Sequence, residues 1–147
     1  MTEQLDTTAV DPREFAAQLA NTPDDQLAAG MQSEARGMVL SEIFKRMGEH
    51  LKPEAAQGVH AVVHWKILDR PDGGYDHYEL VIKDGAATVT DAPEHEPRVT
   101  FRIGPVDFLK LVTGNANGPI LFTTGRLKIK GDLVFAAQIA GMFRIPR

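Results

Sequence analysis

Val59-His60-Ala61-Val62-Val63-His64-Trp65-Lys66-Ile67 is the stretch that decides the fold. Every odd position is apolar, and the even positions are mostly His or Lys. A side-chain period of two belongs to a strand with one apolar and one polar face. Arg70-Pro71-Asp72-Gly73-Gly74 follows as a turn signal. The next strand, at about 75–83, turns Tyr78, Leu80 and Ile82 inward and leaves His77, Glu79 and Lys83 exposed. Lys83-Asp84-Gly85-Ala86 is a tight hairpin leading into a third strand, Ala87-Thr88-Val89-Thr90. After an acidic, proline-containing loop over 91–97, a fourth strand alternates Val99, Phe101 and Ile103 inward with Arg98, Thr100 and Arg102 outward.

Helical periodicity dominates the segment before these strands. Residues 1–10 are polar and expected to fray. Asp11-Pro12-Arg13-Glu14 is a helix start, with Asp11 as N-cap, and the helix runs to about Ala20. Thr22-Pro23-Asp24-Asp25 starts a second helix carrying Leu27 and Met31. A third places Leu40, Ile43, Phe44, Met47 and Leu51 on one stripe and stops at Lys52-Pro53. After the strands, Pro105 to Thr113 reads as a short helix and residues 114–119 as a loop. Ile120-Leu121-Phe122 is an apolar trio, and 125–131 is a fifth, short alternating strand. Asp132 caps a final helix to Gly141.

The order is helices, a four-strand meander, then helix–strand–helix. Each strand has a single apolar face, so all the helices must cover that face. The expected architecture is α+β: one mainly antiparallel five-stranded sheet with helices on one side. Residues 1–21 are set apart as an N-terminal extension with a short helix, and 22–147 as the main domain.

The 147 residues are 43% hydrophobic and 24% charged, with a formal net charge of −4. That length supports one domain with a real core. The absence of cysteine excludes a disulfide framework, a thiol nucleophile and cysteine zinc sites. No apolar run approaches the roughly 20 residues that span a bilayer. The acidic start lacks the features of a secretory signal, and Ile145-Pro146-Arg147 carries no peroxisomal or lipidation address, so a cytoplasmic protein is expected. Charge is segregated: residues 98–147 hold 8 basic and 2 acidic side chains. This basic surplus fits either solvated faces or a surface that meets phosphate or an anionic membrane. No basic stretch is interleaved with aromatics as a nucleic-acid platform would require, so no nucleic acid is expected as partner.

Catalytic motifs are absent. There is no P-loop, no G-x-G-x-x-G, no H-E-x-x-H and no G-x-S-x-G. His60, His64 and His77 fall on the polar sheet face, where His64 opposes Glu79 if paired positions sum to 143 and Lys66 opposes it if they sum to 145. The preferred reading is exposed residues in cross-strand charge pairing. Glu94-His95-Glu96 is an acid–His–acid loop triplet that a metal could use weakly. No residue is given a catalytic or metal-binding role, and no cofactor is expected. What stands out is an apolar surplus in the last third, including a final helix with no charge after Asp132. It fits a solid core, the wall of an apolar cavity, or a contact with a partner.

Several of these segments are similar to the sterol carrier protein type 2 domain. Asp107-Phe108-Leu109-Lys110-Leu111-Val112-Thr113-Gly114 resembles its "D-F-L-x-L-x-x-G" helix. Ile120-Leu121-Phe122 and Gly125-Arg126-Leu127-Lys128-Ile129-Lys130-Gly131-Asp132-Leu133 resemble the apolar pair and the "G-K-L-K-I-x-G" strand that follow. Upstream, the stretch from Ile43 to Glu54, Val59 to Ile67 and Tyr78 to Gly85 look like bacterial stand-alone members. The resemblance covers about residues 38–143.

The resemblance implies a hydrophobic tunnel between helices and sheet and non-catalytic binding or transfer of a sterol, fatty acid or fatty acyl-CoA. Carried over by position, the lining comprises Phe101, Phe108, Leu111, Val112, Leu121, Phe122, Leu127, Ile129, Leu133, Phe135, Ala136 and Ile139. Arg126, Lys128 and Lys130 near the presumed mouth would meet a head group or a membrane. The alternative is an accessory subunit of a lipid- or steroid-metabolising system, with the apolar last helix as interface. Transient membrane or enzyme contact fits both, as does a monomer or a homodimer.

Overall fold

A computed structural model describes residues 12–139 and Met142. The expected N-cap at Asp11, the fraying of 1–10 and the last residues of the final helix lie outside them. The described residues form α1 (Pro12–Ala20), α2 (Asp24–Met31), α3 (Ala35–Glu49), β1 (Ala61–Ile67), β2 (Asp76–Lys83) and β3 (Ala86–Thr90). They continue with β4 (Val99–Ile103), α4 (Pro105–Val112), α5 (Gly118–Thr123), β5 (Leu127–Gly131) and α6 (Leu133–Ile139). No helix among the described residues is long and apolar enough to cross a membrane.

One five-stranded sheet in the order β3-β2-β1-β4-β5 carries the helices. Only β1 and β4 run parallel; the other three pairings are antiparallel. The α+β class is therefore as expected, but the four-strand meander is not. β4 lies beside β1, not β3. Burial explains the choice: β4 buries four of its five residues, whereas β3 alternates between exposed and half-buried. A strand covered on both faces belongs inside the sheet, and a strand with a wet face can serve as its edge. The connection over 91–98 must then cross from one edge of the sheet to beyond its centre.

The first hairpin takes the register in which paired positions sum to 143. Trp65 pairs with Tyr78 and His64 with Glu79. Trp65, Tyr78, Phe101 and Ile129 fall in one row on the helix-covered face. Gly131 closes the sheet at β5. Its φ is +112°, and a Cβ there would fall against the carbonyl oxygen of Arg98.

Two boundaries were misplaced by periodicity. α3 ends at Glu49, ahead of Lys52-Pro53, although Leu51 is still buried. Residues 118–123 form α5 where a loop and an apolar trio were expected. The signal was present: the Asn117 side chain accepts from the Ile120 N–H at 3.1 Å, and Pro119 sits in the first turn. The cap proposed at Asp132 is present, its Oδ1 accepting from the Phe135 N–H at 2.9 Å. α1 packs on α4, with Leu19 buried.

The buried Arg36 ties α3 to the sheet. Its guanidinium donates to the carbonyls of Met31, Ile67, Leu68 and Asp69 and pairs with Asp76 at 2.8 Å. It thereby satisfies carbonyls where β1 runs into the turn and where α2 ends.

Candidate functional site

The centre of the helix–sheet interface is aromatic. Phe44 from α3, Phe108 from α4, Trp65 from β1, Tyr78 from β2 and Phe101 from β4 are all buried. Phe44 stacks on Tyr78 and Phe108, with ring centres 4.1 and 5.2 Å apart. Trp65 stacks on Phe101 at 4.6 Å and meets Phe44 and Phe108 edge-on. Trp65 Nε1 is buried and has no hydrogen-bond partner. Burial pushes the pKa of the Tyr78 hydroxyl up.

Beside this layer an open cleft of about 510 Å³ lies between α3 and β3. Its rim is polar, with Ser41, Lys45, Glu49, Thr90 and Asp91, and its inner wall includes Phe44, Tyr78, Ala87 and Val89. Gly48 lets α3 approach the strand here; a Cβ would sit 3.2 Å from the Ala87 carbonyl oxygen. Phe44 and Tyr78 therefore form the wall between the cleft and Trp65. Sequence reasoning left out Phe44, Ser41 and the β3 residues, because the apolar surplus drew attention to the other end of the chain.

The residues expected to line a tunnel are distributed as follows. Phe101, Phe108, Leu121, Leu127, Phe135, Ala136 and Ile139 are buried in the core. Leu111, Val112 and Ile129 are half-buried and pack against it. Phe122 and Leu133 are exposed at 44% and 55%, beside exposed Ile120 and Val134. None of the twelve lines the cleft at β3. Phe101 and Phe108 belong to the aromatic layer that it adjoins.

The three expected head-group residues differ in their surroundings. Arg126 is held bidentately by Asp107, with Nε–Oδ2 at 3.1 Å. Lys128 and Lys130 are exposed on the outer face of β5. Lys128 pairs across the ladder with Arg102, which itself faces Lys66, so three cations cross the sheet in a row. Among the described residues none of Lys66, Arg102, Lys128 and Lys130 lies within ion-pair distance of a carboxylate.

On the same outer face the reading of exposed histidines needs correction. Glu79 is 1% exposed and His64 7%. The 91–98 crossover lies over them. The backbone N–H groups of Glu94 and His95 both donate to Glu79 Oε2 at 2.8 Å. His95 Nδ1 is 2.7 Å from Glu79 Oε1, and His64 Nε2 is 3.2 Å from Oε2. His77 Nε2 stands 2.9 Å from His64 Nδ1. Burial alone would raise the Glu79 pKa, but the bonds from His95, the two backbone amides and His64 hold it at about 2. Burial and the adjacent His64 and Lys66 push His77 down. The bond to Glu79 pushes His95 up.

In the Glu94-His95-Glu96 triplet, His95 and the Glu94 amide are thus committed to tethering the loop. Among the described residues no three His, Asp or Glu side chains converge as a metal site would require.

Comparison with known proteins agrees with this architecture. The model of the SCP-2 sterol transfer family matches residues 40–144. The oleate-induced peroxisomal protein POX18 of Candida maltosa is 30% identical over 120 residues, 78% of this chain and 94% of that one. Sterol carrier protein 2 of Bos taurus is 26% identical over 118 residues, again 78% of this chain but only 22% of the longer relative. The solution structure of palmitated SCP2L2 from Aedes aegypti superposes with a TM-score of 0.58 at 18% identity, covering 71% of this chain and 95% of that one. A sheet of this order, helices confined to one face and a family match over most of its length together place the chain in the SCP-2 sterol transfer family.

Proposed function

We propose that this protein binds an apolar lipid, a sterol, fatty acid or fatty acyl-CoA, between its helices and sheet, and transfers it without catalysing a reaction on it. The observation that carries this reading is the aromatic layer of Phe44, Trp65, Tyr78, Phe101 and Phe108 beside an open cleft. Apolar pockets with few polar anchors suit such guests, and burial of an acyl chain supplies about 25 cal/mol per Å². Palmitate on a protein of the same fold and the sterol carrier relatives support it.

Phe101, Phe108, Leu111, Val112, Leu121, Leu127, Ile129, Phe135, Ala136 and Ile139 form the apolar interior behind the cleft, which a guest would have to part to lie between helices and sheet. Phe122 and Leu133 flank its outer rim. Lys128 and Lys130, free of carboxylate partners, meet an anionic surface, with Arg126 held back by Asp107. The titratable network of His64, His77, Glu79 and His95 sits on the opposite face of the sheet from the aromatic layer, which favours binding over acid–base chemistry. A cytoplasmic location fits the reading.

The test is native mass spectrometry of protein purified without detergent, with displacement of a fluorescent fatty acid or sterol. Co-purified lipid and saturable displacement are expected. No lipid and no displacement would refute the proposal.

A second reading has its own observation. Leu133 and Val134 on α6 and Ile120 and Phe122 on α5 are exposed. Such a surface suits an accessory subunit docking through its last helix. Light scattering after size exclusion distinguishes a dimer, which this reading favours, from a monomeric carrier.

A further inference from the structure

Trp65 carries the protein's single indole N–H, and it is buried with no acceptor. It is the one such side-chain atom among the described residues. Buried donors are almost always satisfied, and an orphan in a native core asks for a cause. Tryptophan at this position is costlier than phenylalanine unless something accepts the proton.

The surroundings narrow what that acceptor can be. Trp65 is enclosed by the rings of Phe44, Phe101 and Phe108. The buried cation on this side of the sheet, Arg36, is committed to four carbonyls and Asp76. Other charges on the strands, such as Lys66 and Glu79, point to the opposite face. Lys45 stands on the cleft rim, so a carboxylate or phosphate carried past it to the indole would be desolvated away from that counter-charge, which is strongly unfavourable. A hydroxyl or carbonyl oxygen would accept the bond at no such cost.

The route is also defined. The cleft between α3 and β3 ends on Phe44 and Tyr78, and Phe44 touches Trp65 edge-on. Phe44 thus stands between the cleft and Trp65, and a guest reaching the indole would have to displace it. Phe44 is held by stacking contacts, with no hydrogen bond to break.

We infer that Trp65 is the polar anchor of the lipid site, its Nε1–H donating to a neutral oxygen, hydroxyl or carbonyl, on a guest that enters past Phe44 from the α3–β3 cleft. This rests on the lipid-binding reading and narrows it: neutral oxygenated lipids are preferred over free fatty acid anions.

The experiment follows the single indole N–H resonance of the isotope-labelled full chain while hexadecanol, methyl palmitate, palmitate or hexadecene is added. Affinities are measured in parallel by displacement of a fluorescent polyene, for the unaltered protein and for Trp65→Phe. The alcohol and ester should move the resonance downfield, and hexadecene, which has no oxygen, should not. Trp65→Phe should weaken the alcohol and ester about tenfold and hexadecene less than about twofold, the effect of one buried hydrogen bond.

The inference is overturned if bound hexadecanol leaves the indole resonance in place. It is also overturned if Trp65→Phe weakens all probes alike, or if palmitate binds more tightly than the neutral probes. In each case lipid binding itself stands. If no probe binds, the lipid reading fails and the anchor with it. Should Trp65→Phe not fold, the resonance of the unaltered protein decides alone.

Discussion

Replacing Glu79 by Gln tests the claim that a buried carboxylate holds the crossover onto the sheet. Glu79 accepts from two backbone amides and contacts His64 and His95 while 1% exposed. The amide of Gln keeps one acceptor oxygen but loses the charge. Hydrogen bonds to a charged group are roughly twice as strong as neutral ones. A folded pKa of about 2 against an ordinary 4.5 sets an upper bound of about 3.5 kcal/mol at ~1.4 kcal/mol per unit. Glu79→Gln should therefore destabilise the protein by about 2 kcal/mol near pH 6.

The pH dependence is the sharper part. The Glu79 pKa is depressed in the folded state, so its contribution is fully present above the unfolded value of about 4.5. It is lost as pH falls towards the folded value of about 2. The His95 pKa is raised, so its share is complete below an unfolded value of about 6.5 and is lost as pH rises through the raised one. The stability gap between the unaltered protein and Glu79→Gln should thus be widest between about pH 4.5 and 6.5 and narrow on both sides. Urea unfolding followed by Trp65 fluorescence measures it. Hydrogen exchange at the Glu94 and His95 amides reports the loop directly. A gap that stays flat from pH 3 to pH 9, or a variant as stable as the parent at about pH 6, would refute the latch.

Arg36→Met leaves four carbonyls without their donor and Asp76 with Arg70 alone, and should cost about 3 kcal/mol in urea unfolding. Gly131→Ala forces a Cβ against the Arg98 carbonyl at a φ of +112° and should cost about 2–4 kcal/mol, with amide protection along β5 falling first. Joint reversal of Lys128 and Lys130 to Glu should slow transfer of a fluorescent lipid to anionic vesicles at least about tenfold at ~0.1 M salt. Neutral vesicles should be unaffected, and high salt should erase the difference. An unchanged rate on anionic vesicles would remove these lysines from the membrane contact. Arg126→Ala, by contrast, breaks an exposed pair and should change stability by less than about 1 kcal/mol in the same unfolding assay.

The strands were legible because their signal is local. The alternation from Val59 to Ile67 and from Tyr78 to Ile82 fixes which side chains share a face, and the observed register brings Trp65 opposite Tyr78. The Asp132 cap was legible for the same reason. The stop after Glu49 was not, because Leu51 continues the apolar stripe while the backbone has already left the helix. Among the site residues, Phe101 and Phe108 could be picked from the surplus of apolar side chains. Phe44 could not be distinguished from the rest of its helical stripe until its contacts with Tyr78 and Trp65 were seen.

By itself the amino-acid sequence determined the faces: one apolar side on each strand and helices that must cover it. It therefore determined a two-layer α+β domain. Which strands are neighbours was a tertiary decision, made by burial on both sides of β4 and by the half-exposed β3 that could stand at the edge. That decision sent the 91–98 crossover over the polar face and turned an outward-facing Glu79 into a buried one. Outward in a strand is a local property; exposed to water is not, because it depends on what distant segment lies above. The same holds on the other face. Periodicity turned Trp65 inward, but only packing surrounded its N–H with phenylalanine rings and left it without an acceptor.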